Sequence, residues 1–539
     1  MNENQLRSKT AALKDIEQSY DEFPYPNRCF AQTHPDRLQT LAKLFGVAVA
    51  NPETARILEI GCASGGNILP MAEQLPDAEF VGFDLSGNQI AQGQKIVDAL
   101  SFRNIQLRQM DILDLDHQLG KFDYIICHGV YSWVPEVVQK KILEVLQRHL
   151  NPQGVGYVSF NTFPGWHFRG MIRDMMRYHV RNIESATERV VQARALLAFL
   201  AKNATSEESA YGMLLHGELE SLQHEDDGYL YHEHLEQFNQ PIYFHQFVES
   251  LSQFSLQYLG DSSISSMWIE NFPQETSARL KKLTPDILQR EQYSDFLRNR
   301  TFRQALVVHN DVHIDRDLTA ERVADALVIG HLTEGEQASA DPIPDASFTL
   351  VEKRSKRNVK STDPVLKAAA VHLSNQWPAA ISVQELYETS QKNLQLERNL
   401  DQNQMDREKA RFQNQMIQLF ISGLIHLKYA PDRYLYEVTT FPSMTPLARY
   451  QAAEGRITNR RHESIALDKI TARVCQMADG KTDRQAMLGQ LRTLVQNGEL
   501  KLRAEGKAIG DVPGDQLDSI LLRLVDQKLD WLCSRALLV

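Results

Sequence analysis

The sequence is poor in cysteine, with five in 539 residues: Cys29, Cys62, Cys127, Cys475 and Cys533. They are scattered and never form a C-x-x-C pair. That excludes a disulfide framework or a cysteine-built zinc site and suits a reducing, cytoplasmic setting. Nowhere does an apolar run approach the ~20 residues of a membrane-spanning helix. The N-terminal "MNENQLRSKTAALKDIEQ" lacks the apolar core of a signal peptide. A cationic excess is also missing: 58 Lys and Arg face 69 Asp and Glu, a net charge of -11. This argues against nucleic-acid binding through general phosphate neutralisation. No G-x-x-x-x-G-K-[ST] motif occurs, so a P-loop is not expected. What is present is 42% hydrophobic residues, enough to bury a core in about two to four domains of ordinary size.

Between residues 55 and 160, short apolar runs alternate with helical patterns. "ARILEI" (55–60), "AEFVGFD" (78–84), "NIQLRQMD" (104–111), "FDYIICH" (122–128) and "GVGYVSF" (154–160) read as five strands. Helix-like "GGNILPMAEQL" and "EVVQKKILEVLQRHL" lie between them. This rhythm predicts an α/β fold, a Rossmann-like parallel sheet with helices on both faces. Right-handed crossovers put the strand C-termini on one edge, where ligands bind. A helical insertion or cap is expected at about 170–250. "SLQYLGDSS" (255–263) and "FRQALVVHN" (302–310) would then complete a seven-stranded sheet, unless they form a separate α+β domain. A first domain at 1–315, a linker at 316–363 and a C-terminal region at 364–539 follow. The linker assignment rests on the Pro, Ser and Asp of "TEGEQASADPIPD" and the basic run Lys353, Arg354, Lys356, Arg357 and Lys360. From Pro364, helix, turn, helix and a short extended apolar piece follow the order of a winged helix; the last hundred residues are mostly amphipathic helix.

The strongest chemical signal is "LEIGCASGGN" (58–67). A strand ends, glycines follow and a helix starts, so the backbone can turn tightly and approach a ligand with free N–H groups. A tight turn in any α/β sheet would look similar. Asp84 ends the second strand 23 residues after Gly61. In nucleotide-binding sheets an acid there accepts hydrogen bonds from ribose hydroxyls. Asp111 ends the third strand, beside an adenine or as a helix cap.

"E-x-G-C-x-x-G-G-N" resembles the first motif of class I S-adenosylmethionine-dependent methyltransferases. The resemblance narrows with "SYDEFPYPNRCFAQTHPDRLQTLAKLFG" (19–46), "FVGFDLSGNQI", "FDYIICHGVYSWVP", "FNTFPGWHFRGMIRDMMRYH" and "EQYSDFLRNRTFRQALVVH". Together these are similar to the bacterial methyltransferase family that carries a methyltransferase regulatory domain. Its best-known members are protein-lysine methyltransferases acting on outer-membrane proteins. Specific motifs cover residues 19 to about 312; from 364 the likeness to the winged-helix-like part is looser. The resemblance implies S-adenosyl-L-methionine as cofactor, S-adenosyl-L-homocysteine as product, a protein substrate and a homodimer. It also implies cofactor contacts from Glu59, Gly61, Cys62, Ala63, Gly65 and Asn67. Asp84 with Leu85 would hold the ribose, Asp111 with Ile112 would flank the adenine, and His128 would lie nearby. Tyr20 would join a lid over the cofactor, with Tyr25 lining the substrate pocket; an arm that merely packs on the sheet remains open.

Methyl transfer from a sulfonium is an in-line displacement in which positioning supplies much of the rate. No metal is needed. "CHGVYSWVP" (127–135) ends the fourth strand, where the methyl group is delivered. Amine methyltransferases often place Asn/Asp-Pro-Pro-Tyr/Phe there; this chain has His128-Gly129-Val130-Tyr131. Tyr131 and His128 are the candidate catalytic residues, His128 as a base or as a structural bond. Trp133 and Asn161 are candidates for the substrate pocket, with core packing and turn capping as their alternatives. His232 and His234 in "YLYHEHLEQFNQ" invite a metal reading, but such clusters ordinarily lie on a solvated helix face. Three functions are compatible with these residues: protein-lysine methylation, small-molecule O- or N-methylation, and cofactor sensing by a regulator whose winged helix contacts DNA or protein.

Overall fold

The computed structural model describes residues 27–115, 119–204, 206, 208–335, 347–394, 401–500, 503–504, 507–508 and 514–539. Tyr20 and Tyr25 lie outside them. The described residues divide into two compact units, one drawn from 27–28, 47–72 and 76–314, the other from 29–46, 73–75 and 315–539.

The first unit is built on β1 (Arg56–Ile60), β2 (Glu79–Asp84), β3 (Ile105–Gln109), β4 (Phe122–Cys127), β5 (Leu150–Asn161), β6 (Leu256–Asp261) and β7 (Phe302–His309). They form one seven-stranded sheet in the order β3-β2-β1-β4-β5-β7-β6. β1 to β5 run parallel, while β7 is antiparallel to both neighbours. Near-continuous apolar runs explain why: β1 and β4 are buried along almost their whole length, as strands covered on both faces must be. The strand order reverses between β1 and β4, and the loops after these two strands frame the crevice at the sheet's C-terminal edge. Residues 255–263 and 302–310 do complete this sheet. β5 starts at Leu150, earlier than its apolar run; a register shift lets Phe122 pair with Leu150 ahead of the regular ladder.

β7 is locked by a buried charge. Arg303 donates to both oxygens of Asp295 at 2.8 Å and to Glu291 Oε2 at 2.8 Å, beneath the Phe244 ring. Its partners sit on the helix Ile287–Arg298, so strand and helix are tied together. Removing one partner of such a pair typically costs about 3–5 kcal/mol, because the other charge is left buried.

Residues 166–252 are largely helical: Trp166–Val180, Ala186–Asn203, Ala210–Gln223, Asp227–Leu230, a π-helical turn at Tyr231–Leu235, and Phe244–Ser252. A core of Met176, Val190, Leu197, Leu215 and Leu230 holds the first four together. The expectation of a solvated face for His232 and His234 is corrected here, since both are buried. The π turn directs them inward, each onto a carboxylate. His232 Nδ1 lies 2.9 Å from Glu236 Oε1, and His234 Nε2 lies 3.0 Å from Glu218 Oε1. Burial pushes Glu218 up, but His234 and Arg169 outweigh it and hold the carboxyl at about 2.

The second unit corrects the linker. Within 316–363 lie β8 (Leu327–Ile329), β9 (Leu332–Glu334), β10 (Phe348–Glu352) and β11 (Asn358–Ser361). β9, β10 and β11 form an antiparallel sheet, and Lys353, Arg354, Lys356 and Arg357 make the exposed turn between β10 and β11. The strands escape a sequence reading because they are three to five residues long and bury few side chains, chiefly Leu332, Phe348 and Leu350. Helices Pro364–Gln376, Val383–Asn393 and Gln402–Ile421 follow. A separate core joins Met444, Val474, Leu491, Leu521 and Leu532 from the last hundred residues. Among the described residues no helix is long and apolar enough to cross a membrane.

Candidate active site

The loop after β1 is shaped by three residues with positive φ: Gly61, Ala63 and Gly65. Gly61 has φ +72°, and a Cβ there would lie 2.5 Å from Val130 Cγ2 in the loop after β4. Ala63 stands where a dinucleotide fingerprint has its second glycine and still adopts φ +48°. Its backbone N–H donates to Asp84 Oδ2 at 2.8 Å, which holds this costly conformation in place. The other Asp84 oxygen, Oδ1, accepts from Ser86 N at 2.9 Å. One carboxylate thus fixes the loops after β1 and β2 together and retains lone pairs for hydroxyl donors. A Cβ on Gly66 would overlap Asn27 Oδ1, so the chain just before Arg28 crosses directly over the loop. Arg28 in turn pairs with Asp226 Oδ2 at 2.6 Å.

Glu59 is the most telling group. It is 4% exposed at the end of β1, and its Oε1 accepts from Asn67 Nδ2 at 2.6 Å. Its Oε2 is buried with no hydrogen-bond partner among the described residues. Burial raises its pKa to about 7, against the lowering effect of Asn67, and nearby Asp84 raises it further. A buried carboxylate oxygen without a donor is a costly arrangement in an apo fold. A cationic amino group beside it would supply the donor, and the amino-acid end of S-adenosylmethionine carries one. The residues present therefore fit that cofactor. Cys62 is buried beside Gly82, with its thiol held neutral by burial and by the neighbouring acids. Asn67 is buried as well, Leu85 is half-buried, and Gly65 closes the turn by donating to the Cys62 carbonyl. Asp111 caps the turn Ile112–Asp114 through Leu113 N, while the Ile112 side chain is buried.

The tip of β4 differs from expectation. Tyr131 is expected beside the transferable methyl group; its ring instead turns into the core, 5.6 Å from Phe247 and 6.2 Å from Phe160. It is 2% exposed, its hydroxyl bonds Ser250, and burial drives its pKa well upward. The short helix Tyr131–Trp133 causes this by rotating the side chain away from the strand end. Trp133 meets Trp166 edge-on at 6.1 Å. Asn161 is buried and structural in its bonds: its N–H donates to Ser132 Oγ, and its amide to Asn239 Oδ1 at 3.1 Å. Gln240 N also donates to the Ser132 carbonyl, so the segment after the π turn is stitched to the tip of β4.

His128 does remain at the edge. Its Nδ1 is 3.0 Å from the Tyr157 hydroxyl, and the Phe302 ring stands edge-on at 6.1 Å. Burial pulls its pKa down to about 3, so it is neutral at physiological pH and too weak a base to hold a proton. Beside it, Gly129 N donates to Ser159 Oγ at 2.8 Å, and nothing described stands within 4 Å of where a Gly129 Cβ would be. Tyr157 and Ser159 are not among the candidates that the sequence offers. The signal was available: with Asn161 they occupy alternate positions of β5 and so share one face. Among the described residues no group of three or more His, Cys, Asp or Glu is placed to hold a metal ion.

Comparison with known proteins agrees with this geometry. A methyltransferase domain model matches residues 57–154, a predicted methyltransferase regulatory domain matches 226–309, and a PKMT C-terminal winged helix domain matches 441–537. Uncharacterized protein RP789 of Rickettsia prowazekii is 35% identical over 526 residues, 96% of this chain and 93% of that protein. The structure of PKMT2 from Rickettsia typhi superposes with a TM-score of 0.84 at 30% identity, covering 96% of this chain and all of that one. Its complex with AdoHcy gives 0.83 at 31%. The chain belongs to the PKMT methyltransferase family. It is therefore an S-adenosylmethionine-dependent methyltransferase with a class I sheet and a C-terminal winged helix. In this PKMT-family chain the winged-helix match falls after residue 441, beyond the helices from Pro364 that first suggested such a module.

Proposed function

We propose that the chain methylates the side-chain amine of lysine in protein substrates. One observation carries this: the edge beside Gly129 is open and is backed by a neutral His128 with Tyr157 and Phe302 against it. A lysine ammonium must lose its proton before it can attack, and its ordinary pKa is about 10.4. Once the acceptor side chain covers this aromatic-backed edge and excludes water from it, the neutral amine is favoured. The likeness to PKMT2 over the whole chain supports the same acceptor.

When bound, S-adenosylmethionine supplies an activated methyl group on a positively charged sulfur. In this reading Glu59 Oε2 takes its amino group, Asp84 takes the ribose hydroxyls, and the Gly61–Asn67 loop excludes water from one side. Asp111 and Ile112 bound the adenine. His128 serves as a positioned neutral hydrogen-bonding group rather than a proton store, because it does not titrate in the working range. The amine attacks as neutral NH2, the methyl–sulfur bond breaks with its electron pair left on sulfur, and the methylammonium formed gives one of its two protons to solvent. Tyr131 and Trp133 act through packing.

The test is transfer of radiolabelled methyl groups from S-adenosylmethionine into cell lysate, counting protein and small-molecule fractions separately. Label is expected in protein. Label confined to the small-molecule fraction would overturn the proposed acceptor.

A further inference from the structure

Two residues beyond the end of β5 an exposed strip of aromatic rings begins. Phe163 stacks on His167 at 4.0 Å and lies 5.2 Å from Tyr243. Tyr243 stacks on His245 at 5.6 Å and meets Phe296 edge-on at 6.1 Å; Phe296 is 5.8 Å from Tyr293. Three separate segments supply these six rings: the turn after β5 running into helix Trp166–Val180, the start of helix Phe244–Ser252 with the residue before it, and helix Ile287–Arg298. Tyr293 and Phe296 are 43% and 46% exposed, and His167 and His245 are also exposed. Single exposed aromatics are ordinary, but a contiguous strip marks a binding surface. Tyr and similar rigid rings give much contact area for little lost entropy, as interface hot spots do.

Its location says what it binds. Asn161, the last residue of β5, pairs across the ladder with Phe302, whose ring faces His128. The strip therefore starts two residues past the strand position that pairs with Phe302, near the edge where the acceptor amine is placed. None of its six members carries a fixed charge, so it suits apolar side chains and the stems of cations.

We propose that this strip docks the acceptor polypeptide, binding apolar or aromatic residues that flank the target lysine. It rests on the protein-lysine reading above and adds a sequence preference to it. The probes are two synthetic peptides with one central lysine, one flanked by Leu and Phe and one by Ser and Gly. Wild-type kcat/KM is expected to favour the apolar-flanked peptide about 10-fold or more, mostly through KM. The double variant Tyr293→Ser, Phe296→Ser should bring the two peptides within about 2-fold. Its AdoHcy affinity by calorimetry, and its rate on the Ser/Gly peptide, should stay at wild-type level. An equal wild-type rate on the two peptides, or a preference that survives the double variant, overturns the docking role. If the preference survives and the variant changes oligomeric state, the strip contacts a second copy instead. Unaltered AdoHcy binding with neither peptide methylated would refute the lysine acceptor, and the docking site with it.

Discussion

The loop after β1 and the tip of β4 face the same crevice but are built in opposite ways. The loop is polar and unfinished: a buried carboxylate oxygen on Glu59 lacks a donor, and a left-handed Ala63 is held by Asp84. The tip is satisfied and apolar. Its polar atoms bond to Tyr157, Ser159 and the segment after the π turn, and the Tyr131 ring faces the core. A charged cofactor demands strong partners in fixed places. A neutral amine needs water and charge kept away, and an edge open enough for a chain to approach.

The largest effect should come from the residue that holds two loops at once. Asp84→Ala removes acceptors from Ala63 N and Ser86 N. AdoHcy affinity should fall by more than about 100-fold in calorimetry, since each hydrogen bond to a charged group is worth about 1.5–3 kcal/mol.

Next is Glu59→Gln, expected to weaken AdoHcy by about 10–100-fold at pH 8. The wild-type affinity should rise with pH through about 7, where Glu59 ionises and can pair with an ammonium; the Gln variant should lose that dependence. The sign for the apo fold is opposite. Folded Glu59 keeps a proton that the unfolded chain sheds near 4.5, so this group subtracts stability as pH rises from about 4.5 to about 7.

His128→Phe should lower kcat by about 10-fold while AdoHcy affinity changes less than about 3-fold. The wild-type pH–rate profile should show no limb from His128 between pH 5 and 8, because burial holds its pKa near 3. Smallest of all is Tyr131→Phe, which removes only a buried hydroxyl bonded to Ser250. Activity within about 2-fold of wild type, with a loss of about 1 kcal/mol in denaturant unfolding, is the expected outcome. A collapse of kcat in this variant would return Tyr131 to the reacting centre.

The cofactor side was far more legible in the sequence than the acceptor side. "LEIGCASGGN" combines a strand end, glycines and a helix start within ten residues, and Asp84 falls at a strand end that periodicity alone locates; Asp111, expected to end the third strand, stands two residues past β3 as the cap of the next turn. Such local signals survive without knowledge of the fold. Tyr157 and Ser159 matter because β5 lies beside β4, and that neighbourhood exists only in the assembled sheet. Tyr131 misled for a related reason: the short helix Tyr131–Trp133 reverses the direction its strand position implies. His232 and His234 read as surface polar groups because the π turn that buries both, and Glu218 as the partner of His234, cannot be foreseen from spacing. The strands within 316–363 were hidden by charged and proline-rich composition. The five parallel strands and both late strands of the sheet were visible as apolar runs.

The most direct test is the site of methylation. Protein labelled by the purified enzyme and S-adenosylmethionine would be digested and the methyl-bearing residues located by tandem mass spectrometry. The mass increment is expected on lysine Nζ, in wild type but not in Asp84→Ala. Methyl groups on carboxylate or other side chains, with lysine unmodified, would contradict the account.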